Sequence, residues 1–111
     1  MNIGFIGTGT IASAVITGIC NSKILFTKII ISERNKSTSQ KLKNTFKKVT
    51  IAKNNQEIVD NCRWVFLSIT PTVGQKIIKE LNFRSNQTII SFISTISLAE
   101  LKKAIKVKAN I

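Results

Sequence analysis

A chain of 111 residues, 43% hydrophobic and 20% charged, has the length of one domain and the composition of a globular one rather than a disordered one. It carries 17 Lys and Arg against 5 Asp and Glu, a formal charge of +12, and no His; its two Cys, Cys20 and Cys62, have no ligand-like spacing. A zinc site, a Cys-His nucleophile pair and a Ser-His-Asp triad are therefore excluded within these residues.

Asn2 to Ile6 reads as a short buried strand, followed by the turn Gly7-Thr8-Gly9-Thr10. Ile11, Ala12, Ala14, Val15, Ile16 and Ile19 then suit a well-buried helix to about Cys20. Ile29 to Ile31 is a β-branched second strand. Ser37 to about Lys47 is an exposed amphipathic helix with Leu42 and Phe46 one turn apart. Val49 to Ile51 makes a third strand, and Asn54 with Glu57 has the spacing of a helix-opening capping box.

Trp64 to Leu67 is a fourth strand, and Thr70-Pro71 opens the next helix with proline at its first position, where the missing N–H costs nothing. Ile77, Ile78 and Leu81 form that helix's inner face, and Ser85-Asn86 is a turn. Thr88 to Phe92 reads as a fifth strand. Ser97 to Glu100 is a second capping box, opening a helix to about Ile105, and a sixth strand can start at Val107. The strands are continuous apolar runs alternating with helices, the mark of a parallel sheet covered on both faces. The predicted architecture is a doubly wound α/β domain, with its first switch point between the strand at 2–6 and the strand at 64–67.

The most specific local pattern is Gly7-Thr8-Gly9-Thr10-Ile11-Ala12, a G-x-G-x-x-A between a strand and a helix. Gly7 permits the tight turn, Gly9 lets a pyrophosphate approach the backbone, and Ala12 lets the helix pack closely. The helix N-terminus offers unpaired N–H groups and partial positive charge to phosphate. This is the context of a Rossmann-type dinucleotide turn and not of a P-loop, since no Gly-Lys-Ser/Thr follows. A second cofactor signal is Ser32-Glu33-Arg34-Asn35-Lys36 at the end of the second strand. Glu33 suits a ribose 2′-hydroxyl and NAD, whereas Arg34 and Lys36 suit a 2′-phosphate and NADP. The two readings conflict unless Glu33 points away or pairs with a cation. The balance favours NADP, with NAD possible.

The segment Met1 to Ala12 resembles the start of the pyrroline-5-carboxylate reductases. Three further stretches fall in register with that family: Asn54 to Glu57, Val65 to Pro71, and Ile89 to Ser97. The match covers the whole chain but only the family's N-terminal cofactor domain. It implies that Ile6, Gly7, Thr8, Gly9, Thr10 and Ile11 bind the pyrophosphate, and that Glu33, Arg34 and Asn35 meet the adenosine ribose and its phosphate. Asn55 would reach the ribose or adenine. Ser68, Ile69, Thr70 and Pro71, with Phe92, Ile93 and Ser94, would line the nicotinamide side, mostly through backbone. Two departures stand out: Thr70 replaces the family's lysine before proline, and Thr95 falls where the family has glycine.

The implied reaction is hydride transfer from NAD(P)H to the C=N carbon of 1-pyrroline-5-carboxylate, a small cyclic imino acid, giving L-proline. No residue here stands out as acid, base or nucleophile. The family's C-terminal helical domain, which dimerises and completes the substrate pocket, is not represented in these 111 residues. Reductase activity is therefore not expected of them alone, and a homo-oligomer is. Apolar surface near Val107 to Ile111 is expected to be exposed for a partner. A prephenate dehydrogenase, an F420-dependent NADP reductase and a non-catalytic dinucleotide-binding regulatory module are the alternatives.

Fourteen of the cations are Lys, and they are scattered from Lys23 to Lys108, which reads as solvated surface rather than a specific nucleic-acid interface. No apolar run approaches the ~18 residues of a membrane span, and the N-terminus does not read as a signal peptide. A cytoplasmic protein without a membrane partner is expected.

Overall fold

The computed structural model describes residues 1–7, 9–33, 36–69, 71–93 and 99–100. Among the described residues from Asn2 to Ser91, five strands, β1 (Asn2–Ile6), β2 (Lys28–Ile31), β3 (Val49–Ile51), β4 (Trp64–Leu67) and β5 (Thr88–Ser91), alternate with four helices. The helices are α1 (Thr10–Cys20), α2 (Lys36–Thr45), α3 (Asn55–Asn61) and α4 (Pro71–Glu80). All pairings are parallel, in the order β3-β2-β1-β4-β5. The chain thus winds outward from β1 to β3, then returns to the other side of β1 for β4. The expected doubly wound α/β architecture is observed, with the switch point between β1 and β4.

The continuous apolar runs are explained by two cores. Ile3, Phe5, Ile29, Ile31 and Phe66 face Ala12 and Ile16 of α1 and Leu42 of α2. Ile6, Ile30, Val65, Leu67 and Ile89 face Ile58 and Val59 of α3 and Ile78 of α4. Successive strand residues point to opposite faces, so a strand buried on both faces must be apolar throughout. Phe5 and Phe66 stack across the switch point with ring centroids 4.5 Å apart, and Phe92 tilts against Phe66 at 5.8 Å. Gly4 is required by close approach: a Cβ there would strike Ile58 and lie 2.9 Å from Cys62 Sγ, so β1 and α3 could not pack.

Asn54 caps α3 as predicted, its Oδ1 accepting the Glu57 N–H at 2.8 Å. Pro71 is the first residue of α4, as predicted. Boundaries shift by a residue or two where local pattern is silent. β5 ends at Ser91 rather than Phe92, and α2 runs 36–45 rather than 37–47. The predicted helix after Ser97 and strand at Val107, with the exposed apolar surface near Ile111, lie outside the described residues, as do Thr70 and Thr95.

Candidate functional site

The carboxyl ends of the strands form a rim held by backbone hydrogen bonds that continue past each strand. Ser32 N–H donates to Phe5 O at 3.1 Å, Ser68 N–H to Ile6 O at 2.9 Å, Phe92 N–H to Leu67 O at 2.9 Å, and Ala52 N–H to Ile31 O at 2.8 Å. At the middle of this rim, β1 passes into α1 through Gly7. Its φ of +98° lies where side chains are disfavoured. A Cβ there would also collide with the Ser68 carbonyl oxygen and lie 2.8 Å from Ile69 Cγ2. The Gly7 N–H donates to Ser32 Oγ at 2.9 Å, a buried bond between the ends of β1 and β2. Ser32 is 6% exposed, so this hydroxyl serves the turn rather than solvent.

Gly9 is the N-cap of α1 and is exposed, with nothing within 4 Å of the position its Cβ would take. Its carbonyl accepts the Ser13 N–H at 3.0 Å, which starts the helical ladder. Among the described residues no side chain caps α1, and its first turn contains no acidic residue. The first-turn amides and the positive end of the helix dipole are thus left for an anion approaching over Gly9. The residues present fit a pyrophosphate.

A cleft of about 610 Å³ opens from Gly9 between α1 and α2, lined by Ser13, Thr17, Ser37, Thr38, Lys41, Leu42, Thr45 and Phe46. Of the predicted residues that are described, only Gly9 lines it. The other lining residues were missed, although their spacing was readable: Ser13 and Thr17, and Ser37, Lys41 and Thr45, recur every four residues and so share a helix face.

Glu33 leaves the end of β2 exposed and pairs with Lys36 at 3.7 Å. This resolves part of the conflict read from the sequence, because the carboxylate has a cation partner. Asn55 is the first residue of α3 and half-buried. Ser68 and Ile69 follow β4, also half-buried. Phe92 packs its ring on Phe66. Ile6 and Ile93 are buried, and Ile93 Cδ1 lies 2.9 Å from the Cβ position of Gly74, so both can offer a ligand only backbone. Thr8, Arg34, Asn35, Thr70 and Ser94 lie outside the described residues, and the backbone alone is described for Thr10 and Pro71.

Among the described residues no cluster of three or more His, Cys, Asp or Glu could hold a metal. Cys62 is fully buried, and burial pushes its thiol up to about 12, against a lowering effect of Arg84. Cys20 is also raised by burial, against a lowering effect of Lys48. Neither has the depressed pKa of a nucleophile.

The family model described as NADP oxidoreductase, coenzyme F420-dependent, matches residues 2–95. The chain belongs to this family. Pyrroline-5-carboxylate reductase 3 of Danio rerio is 31% identical over 106 residues, covering 93% of this chain and 36% of the relative. The crystal structure of 1-pyrroline-5-carboxylate reductase from Streptococcus pyogenes superposes with a TM-score of 0.76 at 30% identity, over 95% of this chain and 38% of that one. The pyrroline carboxylate reductase of Plasmodium falciparum, solved with NADP bound, shares the fold with a TM-score of 0.78 at 20% identity, over 95% of this chain and 38% of its own. The resemblance read from the sequence is borne out. The chain spans a little over a third of the length of these relatives.

Proposed function

We propose that this chain is the dinucleotide-binding domain of a pyrroline-5-carboxylate reductase-like oxidoreductase and takes NADP(H) in preference to NAD(H). The observation that carries the reading is the Gly7 turn. It is fixed by positive φ, by Ser68 beneath it and by the buried Ser32 hydroxyl, and it delivers an uncapped helix N-terminus beside an exposed Gly9.

In this reading Gly7 to Ile11 hold the pyrophosphate through backbone N–H groups. The 33–36 segment meets the adenosine ribose; Arg34 and Lys36 supply the charge for a 2′-phosphate, and the Glu33–Lys36 pair lessens the repulsion the carboxylate would exert there. Asn55 meets the ribose or adenine from the start of α3. Ser68 to Pro71 and Phe92 to Ser94 form the nicotinamide side. The bound cofactor supplies the hydride, and the protein orients it and excludes water. The reduction of the C=N bond of 1-pyrroline-5-carboxylate to L-proline belongs to a whole enzyme, a homo-oligomer, in which a separate helical domain dimerises and completes the substrate pocket.

Calorimetric titration with NADPH and NADH tests the reading. Saturable binding of both is expected, tighter for NADPH, and loss of binding in Gly7→Ala. No binding of either at millimolar concentration overturns it. Measurable turnover of pyrroline-5-carboxylate by these 111 residues alone overturns the assignment of the substrate pocket to another domain.

A further inference from the structure

The amino edge of the sheet, opposite the Gly7 turn, carries a feature the proposed function does not use. After α1, residues 21–27 turn the chain back into β2. On that turn Leu25 is 90% exposed and Ile24 53%. Met1, 46% exposed, is tied to the same turn. Thr27 N–H donates to Met1 O at 2.8 Å, and the Met1 ammonium donates to Thr27 Oγ1 at 3.2 Å. The turn is further braced at Ser22, whose Oγ donates to Ile19 O at 2.6 Å and accepts the Ile24 N–H at 3.1 Å. These apolar side chains are therefore held out on a built turn.

Exposed lysines surround them. Lys23 lies on the turn, and Lys28 opens β2. Lys47 and Lys48 enter β3 beside it, with Lys48 Nζ bonded to Phe26 O at 3.1 Å and lying 4.8 Å from the Phe26 ring centroid. The charge is one-sided over a long stretch: the first 56 residues hold nine Lys and Arg and one acid. That acid, Glu33, sits at the opposite edge, paired with Lys36. Asp60 and Glu80 lie at the carboxyl ends of α3 and α4, at this same edge but on the other face of the sheet, where Asn61 O accepts from Asn2 Nδ2 at 2.9 Å.

We propose that this edge is a peripheral docking site for an anionic phospholipid surface. Leu25 and Ile24 enter the interfacial layer, and Lys23, Lys28, Lys47 and Lys48 meet headgroup phosphates. A convex apolar tip fits a deformable layer, not a groove binder. Stable attachment takes two signals, a short apolar insertion and a basic patch, and this edge has both. A nucleic acid offers no layer for Leu25, and the cations here are Lys, not the Arg that reads bases. The sequence predicts no membrane partner because it holds no span, but a surface contact needs none, and no helix among the described residues is long and apolar enough to cross a membrane. The strands, about 15 Å long, separate this edge from the Gly7 turn, so both can be occupied at once. The proposal does not depend on the dinucleotide reading.

Co-sedimentation with phosphatidylcholine vesicles, with and without phosphatidylserine, tests it. Binding only to the phosphatidylserine vesicles is expected, weakening as salt rises. Leu25→Asp and the pair Lys23→Gln with Lys28→Gln should each lower the partition coefficient roughly tenfold. Their urea midpoints should match the wild type because these side chains are exposed. Sedimentation with neither vesicle, equal sedimentation with both, or a Leu25→Asp chain that binds as well as the wild type overturns the proposal. The last result would leave bare Coulombic adsorption, which duplex DNA would share.

Discussion

The backbone N–H of Gly7 donates 2.9 Å to the buried hydroxyl of Ser32, linking the ends of two neighbouring strands under the pyrophosphate turn. The bond sets the direction in which the turn leaves β1. Ser32→Ala removes the acceptor and leaves a buried N–H without it. A loss of roughly 1–3 kcal/mol in stability is expected from urea unfolding, together with weaker dinucleotide binding by calorimetry. Unchanged affinity would show that Gly7 holds its course without Ser32.

Gly7→Ala is expected to be more severe. The φ of +98° penalises any side chain, and the added Cβ meets the Ser68 carbonyl. A cost of about 2 kcal/mol or more should appear as a lower thermal midpoint, with dinucleotide affinity lost while far-ultraviolet circular dichroism stays native below that midpoint.

Glu33 and Lys36 are both exposed, so their pair contributes at most about 1 kcal/mol to stability. Glu33→Gln should leave the unfolding midpoint nearly unchanged. It should raise the preference for NADPH over NADH about fivefold, the effect of removing one exposed carboxylate near a phosphate. Equal gains for both dinucleotides would place Glu33 away from the ribose.

Gln87 is fully buried and joins three chain segments. Its Nε2 donates to Val59 O at 2.6 Å and Cys62 O at 2.8 Å, and its Oε1 accepts the Arg84 N–H at 2.6 Å. Gln87→Leu strands Val59 O and the Arg84 N–H and leaves Cys62 O with the Arg84 guanidinium alone, and a loss of roughly 2–4 kcal/mol is expected from urea unfolding. Nothing in the local pattern around Ser85-Asn86 points to this role.

Cys62 gives a prediction in alkali. Its thiol is raised above the unfolded value of 9.0 to about 12, so the native state favours the neutral form. The stabilisation is fully present below the unfolded pKa and is lost as pH rises from about 9 to about 12. The thermal midpoint of the wild type should fall across that interval more steeply than that of Cys62→Ala. At pH 8 a thiol reagent should label the partly exposed Cys20 at least about tenfold faster than Cys62.

The strands, the switch point and the glycine turn were legible because their causes are local. A two-faced strand must be apolar, and a G-x-G-x-x-A after it has few other uses. Gly7, Asn54 and Pro71 could be placed for the same reason. The Ser32 hydroxyl could not. In sequence Ser32 is only the first residue of the Ser32-Glu33-Arg34-Asn35-Lys36 cofactor segment, whereas its acceptor role depends on β2 lying beside β1. Gln87 escaped for the same cause, since two of its three partners are 25 and 28 residues away. The Glu33–Lys36 pairing fell between: the spacing allowed it, but only the path of the backbone out of β2 decided it.

The amides of Ser32, Ala52, Ser68 and Phe92 each reach back to the neighbouring strand one step beyond the regular ladder. Four separate loops therefore start from anchored points. A guest arriving there finds its floor already assembled, and the entropy it must remove is confined to the loop tips. Affinity can then be retuned by exchanging tip residues while the platform beneath keeps its shape.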